Sequence, residues 1–172
     1  EIAEALQKPE QAYYSRTAGQ MKAAIQAALI CDGELRSQNM GAYVLMIAFD
    51  LVPEHCKEHF AQKLISLLDS HHGCLDTGFL ATPFLLDAFV KIGRRDLAIK
   101  LLWQTRMPSW LYEVEQGATS VWESWDAITP GSEPRITSYN HYAFGCVDAW
   151  IFENIAGIRA LEPGFRRVEI AP

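Results

Sequence analysis

The sequence predicts an all-α fold whose helices alternate between an outer and an inner ring, followed by a short strand. Three observations carry this reading. One-sided amphipathic segments alternate along the chain with segments that are apolar on every face. Cap and turn residues fall between them, where helices begin and stop. After Gly157 the period changes to the two-residue alternation of a strand. An outer helix touches neighbours on one face and an inner helix on two, so concentric rings produce this order. A plain four-helix bundle would make every helix one-sided. Three outer–inner pairs can be counted, half of a six-hairpin toroid. No residue-level repeat accompanies them, which weighs against a helical-repeat solenoid.

Taken in order, Glu1-Ile2-Ala3-Glu4-Ala5-Leu6 is acidic and helix-forming, unlike a cationic signal region, and reads as the tail of a helix in a longer protein. Residues 9–30 carry Ala18, Met21, Ala24, Ile25 and Ala28 on one stripe, with Gln20, Lys22 and Gln26 opposite, as an outer helix should. Gln38 to Val52 is apolar all round and is expected to be buried on both sides. Pro53-Glu54 opens the next outer helix at a favoured first-turn proline. Its stripe is Cys56, Phe60, Leu64, Leu67 and Leu68, and it stops at His71-His72-Gly73, where glycine can adopt the left-handed conformation.

Thr82-Pro83 reads as an N-cap followed by a first-turn proline, opening a second inner helix through Phe84, Leu85, Leu86, Phe89 and Ile92. Gly93 ends it, and Asp96 to Gln104 is again one-sided. An irregular stretch from about 106 to 137 precedes a last, mostly apolar helix from Tyr142 to Ile155. Glu162-Pro163-Gly164-Phe165 is a turn, and Arg167-Val168-Glu169-Ile170 alternates as a strand. The expected division is residues 1–160 as the helical half-ring and 161–172 as the start of a β domain that lies elsewhere.

At 172 residues, 49% of them hydrophobic, the chain can build one core. A net charge of −6 without clustered Lys and Arg excludes phosphate-driven nucleic-acid binding. No apolar run is long enough to span a membrane as a helix. Cys31, Cys56, Cys74 and Cys146 lack any C-x-x-C spacing and are read as free thiols, leaning toward the cytoplasm. His55-Cys56-Lys57-Glu58-His59 spells an H-x-x-E-H pattern, but on the solvated side of an outer helix, so no metal and no cofactor are expected.

The irregular stretch holds the chemistry. Trp122-Glu123-Ser124-Trp125-Asp126 places a carboxylate between two indoles, and Ser138-Tyr139-Asn140-His141-Tyr142 adds an imidazole eighteen positions after Glu123. Indole faces stack on the C–H faces of a pyranose, and a carboxylate in such walls can act as general base toward a captured water. The bland alternatives are a buried aromatic cluster for Glu123 and a helix-capping role for His141.

Several longer motifs are more specific. Gly117-Ala118-Thr119-Ser120-Val121-Trp122-Glu123-Ser124-Trp125-Asp126 and Ser138-Tyr139-Asn140-His141-Tyr142-Ala143-Phe144-Gly145 resemble the late barrel motifs of bacterial α-L-rhamnosidases, glycoside hydrolase family 78. Leu75-Asp76-Thr77-Gly78-Phe79-Leu80-Ala81-Thr82-Pro83 and Pro108-Ser109-Trp110 fit the same pattern, as do Ala156-Gly157-Ile158-Arg159 and Glu162-Pro163-Gly164-Phe165. The resemblance covers most of residues 38–172, with the motifs in order. It implies an (α/α)6 toroid hydrolysing terminal α-L-rhamnosides with inversion. Glu123 then matches the general base, His141 matches a sugar contact, and Trp122 and Trp125 line the pocket.

The segment bearing the family's general acid has no counterpart here, and Glu113, Glu115 and Asp126 do not match it. The chain therefore reads as a C-terminal half-barrel carrying the base without the acid, its partner a rhamnose-containing saccharide. A half-ring exposes the flanks of its inner helices, so self-association is also expected. Two other classes remain open: a non-catalytic sugar-binding module and a structural helical domain.

Overall fold

The computed structural model describes residues 2–172 and is mostly helical, with four short strands among the described residues. The chain divides into two bodies: residues up to Ser37 together with Ile151–Pro172, and Gln38–Trp150.

The first body begins with α1 (Ile2–Ala5) and the long α2 (Gln11–Leu29). The stripe expected to face inward on α2 finds no cover: none of its residues is buried, and Met21 is 60% exposed. Periodicity identifies a face that would gain from burial; it does not supply the surface that covers it. After α2, β1 (Ile30–Cys31) and β2 (Glu34–Leu35) form a small hairpin that the helical reading missed. Its signal was Asp32-Gly33, both at positive φ (52° and 80°), as a two-residue hairpin turn demands.

In the Gln38–Trp150 body, the Asn39 side chain accepts from Ala42 N and starts α3 (Met40–Ala48), which buries Met40, Tyr43, Val44, Met46 and Ile47. A 3-10 turn, Glu54–Cys56, leads into α4 (Lys57–Ser70), which buries Phe60, Leu64 and Leu68 of the expected stripe and also Ala61, while Leu67 is half-buried. Gly73 follows at φ +75°, the expected left-handed stop. The next two helices are α5 (Thr82–Lys91) and α6 (Arg95–Leu102). α3 packs against both α4 and α5, and α5 against α6, so the apolar α3 and α5 each have covered faces while α4 and α6 are one-sided.

Thr82 is not the N-cap of α5; that position is Ala81, which offers no side-chain acceptor. The Thr82 hydroxyl instead turns back to the loop before the helix. It lies 2.8 Å from the Thr77 hydroxyl, with the carbonyls of Thr77 and Gly78 at 3.1 and 2.9 Å. Thr82 thus pins a loop that forms one wall of the site.

The irregular stretch contains a six-residue helix, α7 (Trp110–Glu115), capped by Ser109. The single apolar helix expected from Tyr142 is divided: a 3-10 turn, Tyr142–Cys146, packs on α5 and precedes α8 (Val147–Asn154). Only Phe144 and Trp150 of these two elements are buried, and Tyr142 is 89% exposed. The C-terminal strand is β4 (Val168–Ile170), paired antiparallel with β3 (Ile158–Ala160). No described helix is long and apolar enough to cross a membrane.

Candidate active site

The site is built outward from α7. Ser109 Oγ accepts from Tyr112 N (3.1 Å) and starts the helix beside the cis Met107–Pro108 bond. Three α7 side chains then reach backbone groups elsewhere in the loop. Trp110 Nε1 donates to Phe144 O (2.8 Å), Tyr112 OH donates to Ile128 O (2.8 Å), and Glu113 Oε2 accepts from Trp122 N (3.2 Å). The segments 121–123 and 138–141 run antiparallel, joined by Glu123 N to Ser138 O (2.9 Å) and His141 N to Val121 O (2.8 Å). Ser120 Oγ adds a bond to Tyr139 O (2.6 Å), and Tyr139 OH bridges the carbonyls of Ala127 and Arg135.

This pairing sets Glu123. Its Oε2 accepts from Ser138 N (3.0 Å) and Thr137 Oγ1 (3.1 Å), while Oε1 accepts nothing among the described residues. The Ser138 N–H, then the Thr137 hydroxyl, and more weakly the nearby His141, hold the carboxyl below its ordinary value against a smaller opposing effect of desolvation. The carboxylate is therefore ionised through the neutral range. It stands on the wall of a cavity of about 430 Å³, together with Thr77, Gly78, Phe79, Met107, Trp125 and Phe144.

The two indoles are placed differently. Trp125 lines the cavity, stacked on Phe144 (4.0 Å, 23°) and edge-on to Trp110. Its Nε1 is buried without a hydrogen-bond partner among the described residues. Trp122 is 3% exposed, packs edge-on against Tyr139, and is absent from the cavity wall. Adjacent residues of an extended segment point to opposite sides, so Trp122 turns into the core as Glu123 turns out. In this structure Trp122, expected on the pocket wall, is a core side chain that does not line the cavity.

His141 takes the capping role raised from the sequence and stands next to the cavity, behind Phe79, rather than on its wall. Its Nδ1 accepts from Ala143 N (3.3 Å) and caps the 3-10 turn, which leaves Nε2 to carry the proton and donate. The ring is stacked between Phe79 (4.9 Å, 12°) and Tyr142 (5.4 Å, 8°) and acts electrostatically on Glu123.

The other carboxylates are placed differently. Both Asp126 oxygens accept from Arg135 Nη1 (2.6 and 2.5 Å), and Glu115 is exposed away from the cavity. Glu113 is 3% exposed; burial pushes its carboxyl up to about 7, opposed by the Trp122 N–H, and Oε1 has no partner among the described residues. Reading by sequence alone passed over Thr137, met Phe79 only within a longer motif, and weighed Glu113 only as a candidate acid. Thr137, directly before the Ser138 motif, was the one with a usable signal, since a hydroxyl there can reach across the pair.

The chain matches, over residues 1–155, the family model described as the bacterial alpha-L-rhamnosidase 6 hairpin glycosidase domain. The chain belongs to this family. Among similar proteins is an alpha-L-rhamnosidase of Streptomyces avermitilis, 39% identical over 156 residues that make up 88% of this chain and 15% of the relative. Another, of Formosa agariphila, is 37% identical over 96% of this chain and 18% of its own length. The chain thus spans less than a fifth of the curated relatives it matches. A crystal structure of the Streptomyces avermitilis alpha-L-rhamnosidase complexed with L-rhamnose superposes with a TM-score of 0.92 at 35% identity, covering 99% of this chain and 17% of that one. Native alpha-L-rhamnosidase from Aspergillus terreus gives 0.91 at 33% identity, over 99% and 21%. Membership in the six-hairpin family agrees with the mostly helical fold expected from the sequence.

Proposed function

We propose that this chain is part of an inverting α-L-rhamnosidase and supplies its general base, Glu123, while the general acid comes from another part of the same protein. One observation carries the reading: Glu123 is an ionised carboxylate with one oxygen anchored by Ser138 and Thr137 and the other unengaged, on the wall of a cavity that also contains Trp125. The anchored oxygen fixes orientation. The unengaged one can take a proton from a water aligned on the anomeric carbon. As the new C–O bond forms, the bond to the aglycone oxygen breaks and the configuration inverts.

The departing oxygen needs a proton donor across the sugar from Glu123. Of the carboxylates on the described cavity wall, Asp126 is the only other, and both its oxygens are occupied by Arg135. It is not offered as the acid. His141, through Nε2, is assigned a hydrogen bond to the bound rhamnose, and the neighbouring Phe79 and Trp125 supply apolar contact to its C–H faces. The complex of the Streptomyces avermitilis relative with L-rhamnose supports the choice of sugar.

The test uses the full-length protein containing this chain. Glu123→Gln should lower turnover of an aryl α-L-rhamnoside by about 10²–10⁴-fold, the usual worth of general acid–base help, with rhamnose affinity by calorimetry nearly unchanged. The isolated chain should show no turnover. Full activity in Glu123→Gln would favour the rival reading, a carbohydrate-binding module in which the carboxylate only accepts hydrogen bonds.

A further inference from the structure

The three α7 side chains that reach out of the helix do not tie down the same thing. Trp110 holds the carbonyl of Phe144, a wall residue, and Tyr112 holds Ile128 in the excursion between the paired segments. Glu113, one turn after Trp110 and so on the same face of the helix, holds the N–H of Trp122, the residue directly before Glu123. The other bonds that define Glu123, its own N–H to Ser138 O and its Oε2 from Ser138 and Thr137, all run within the antiparallel pair. They fix Glu123 relative to its partner segment but not relative to the helix behind both.

Glu113 is also an expensive residue to keep. It is 3% exposed, and its Oε1 is buried with no partner among the described residues. A carboxyl in that position costs stability unless its remaining bond is needed. A buried aliphatic side chain of similar size would spare the unpaired oxygen but leave the Trp122 N–H without an acceptor.

We propose that Glu113 is a positioning residue: by accepting the Trp122 N–H it fixes the peptide leading into Glu123, and so sets where the base carboxylate stands in the cavity. The proposal rests on the reading of Glu123 as general base. What matters is an acceptor at the right reach. An amide oxygen at the same distance serves as well, whereas a carboxylate one methylene shorter does not reach. The indole of Trp122, buried against Tyr139, converts that fixed amide into a fixed backbone direction for the next residue.

The test compares three variants of the full-length protein with the native form and with Glu123→Gln, following kcat and KM for an aryl α-L-rhamnoside alongside thermal unfolding. Glu113→Gln retains the acceptor and should keep kcat within about threefold of native. Glu113→Asp should lose about 10- to 10²-fold in kcat, the scale of a displacement of about 1 Å at a reacting group, with KM little changed. Glu113→Met keeps the volume but leaves the Trp122 N–H without an acceptor; thermal unfolding identifies the folded protein, which should show the same kcat loss.

Two results would overturn the proposal. Native kcat in Glu113→Asp or in folded Glu113→Met would show that the Trp122 bond does not position the base. A loss in Glu113→Gln as deep as in Glu113→Met would show that a proton or charge matters instead. Glu123→Gln separates the two layers of argument: if it stays active, the base assignment fails whatever the Glu113 variants do.

Discussion

Around α3, α4 and α5 the chain is ordered by apolar burial. Tyr43, Val44, Phe60, Leu64, Leu85 and Phe89 are wholly inaccessible, and α4 buries most of the stripe its periodicity announces. Between Met107 and Cys146 order comes instead from side chains that bond to backbone groups far along the sequence: Trp110 to Phe144, Tyr112 to Ile128, Glu113 to Trp122, Ser120 to Tyr139. The difference has a physical root. Burial is non-directional and tolerates small shifts, whereas a hydrogen bond fixes distance and angle. The helical layer gives the body its stability, and the cross-linked loop gives the carboxylate its position.

The contrast can be broken at several points. Phe89→Ala removes a fully buried ring from α5 and should cost about 3–5 kcal/mol, read as a large fall in the unfolding midpoint. The loop should respond to pH instead. Burial lifts the Glu113 carboxyl to about 7, from 4.5 in the unfolded chain, so the folded state holds more protons between those values. The stability this provides is fully present below about 4.5 and is lost as pH rises through about 7, by at most about 3 kcal/mol. Glu113→Gln should flatten that slope and be more stable than native at pH 8 in denaturant titrations. The smallest effect belongs to Arg135→Ala. Its pair with Asp126 is more than 40% exposed on both sides, and its loss should cost less than about 1 kcal/mol.

The same contrast decides what could be read from the sequence. α4 and α6 were legible because Phe60, Leu64 and Leu68, or Leu97 and Leu101, recur at helical spacing and the structure buries them. The stripe of α2, weaker than those of α4 and α6, contributes no buried residue, since periodicity states a preference and not its satisfaction. α7 was missed because six residues are too short for a period to show, although Ser109 was its capping signal. In the candidate site, the sequence picked out Glu123 and Trp125, which share a cavity wall, and His141, which caps the turn beside it. The placement of Trp122 was not legible, because adjacency in sequence cannot say which of two neighbours turns inward. Glu113 gave no sign either, since of Glu113 and Glu115, set among Trp110, Leu111, Tyr112 and Val114, the sequence does not say which one the fold buries. Thr82 was taken for a cap, and its hydroxyl instead bonds the preceding loop, a choice that rests on where Gly78 lies.

The central claim is that the unengaged oxygen of Glu123 activates the attacking water on the face of the sugar opposite the leaving group. Chemical rescue addresses it directly. In the full-length protein, Glu123→Ala leaves space where a small anion can attack without a base, so adding azide should restore turnover of an activated aryl α-L-rhamnoside and give β-L-rhamnosyl azide by NMR. No rescue at any azide concentration, or a rescued product that keeps the α configuration, would contradict it.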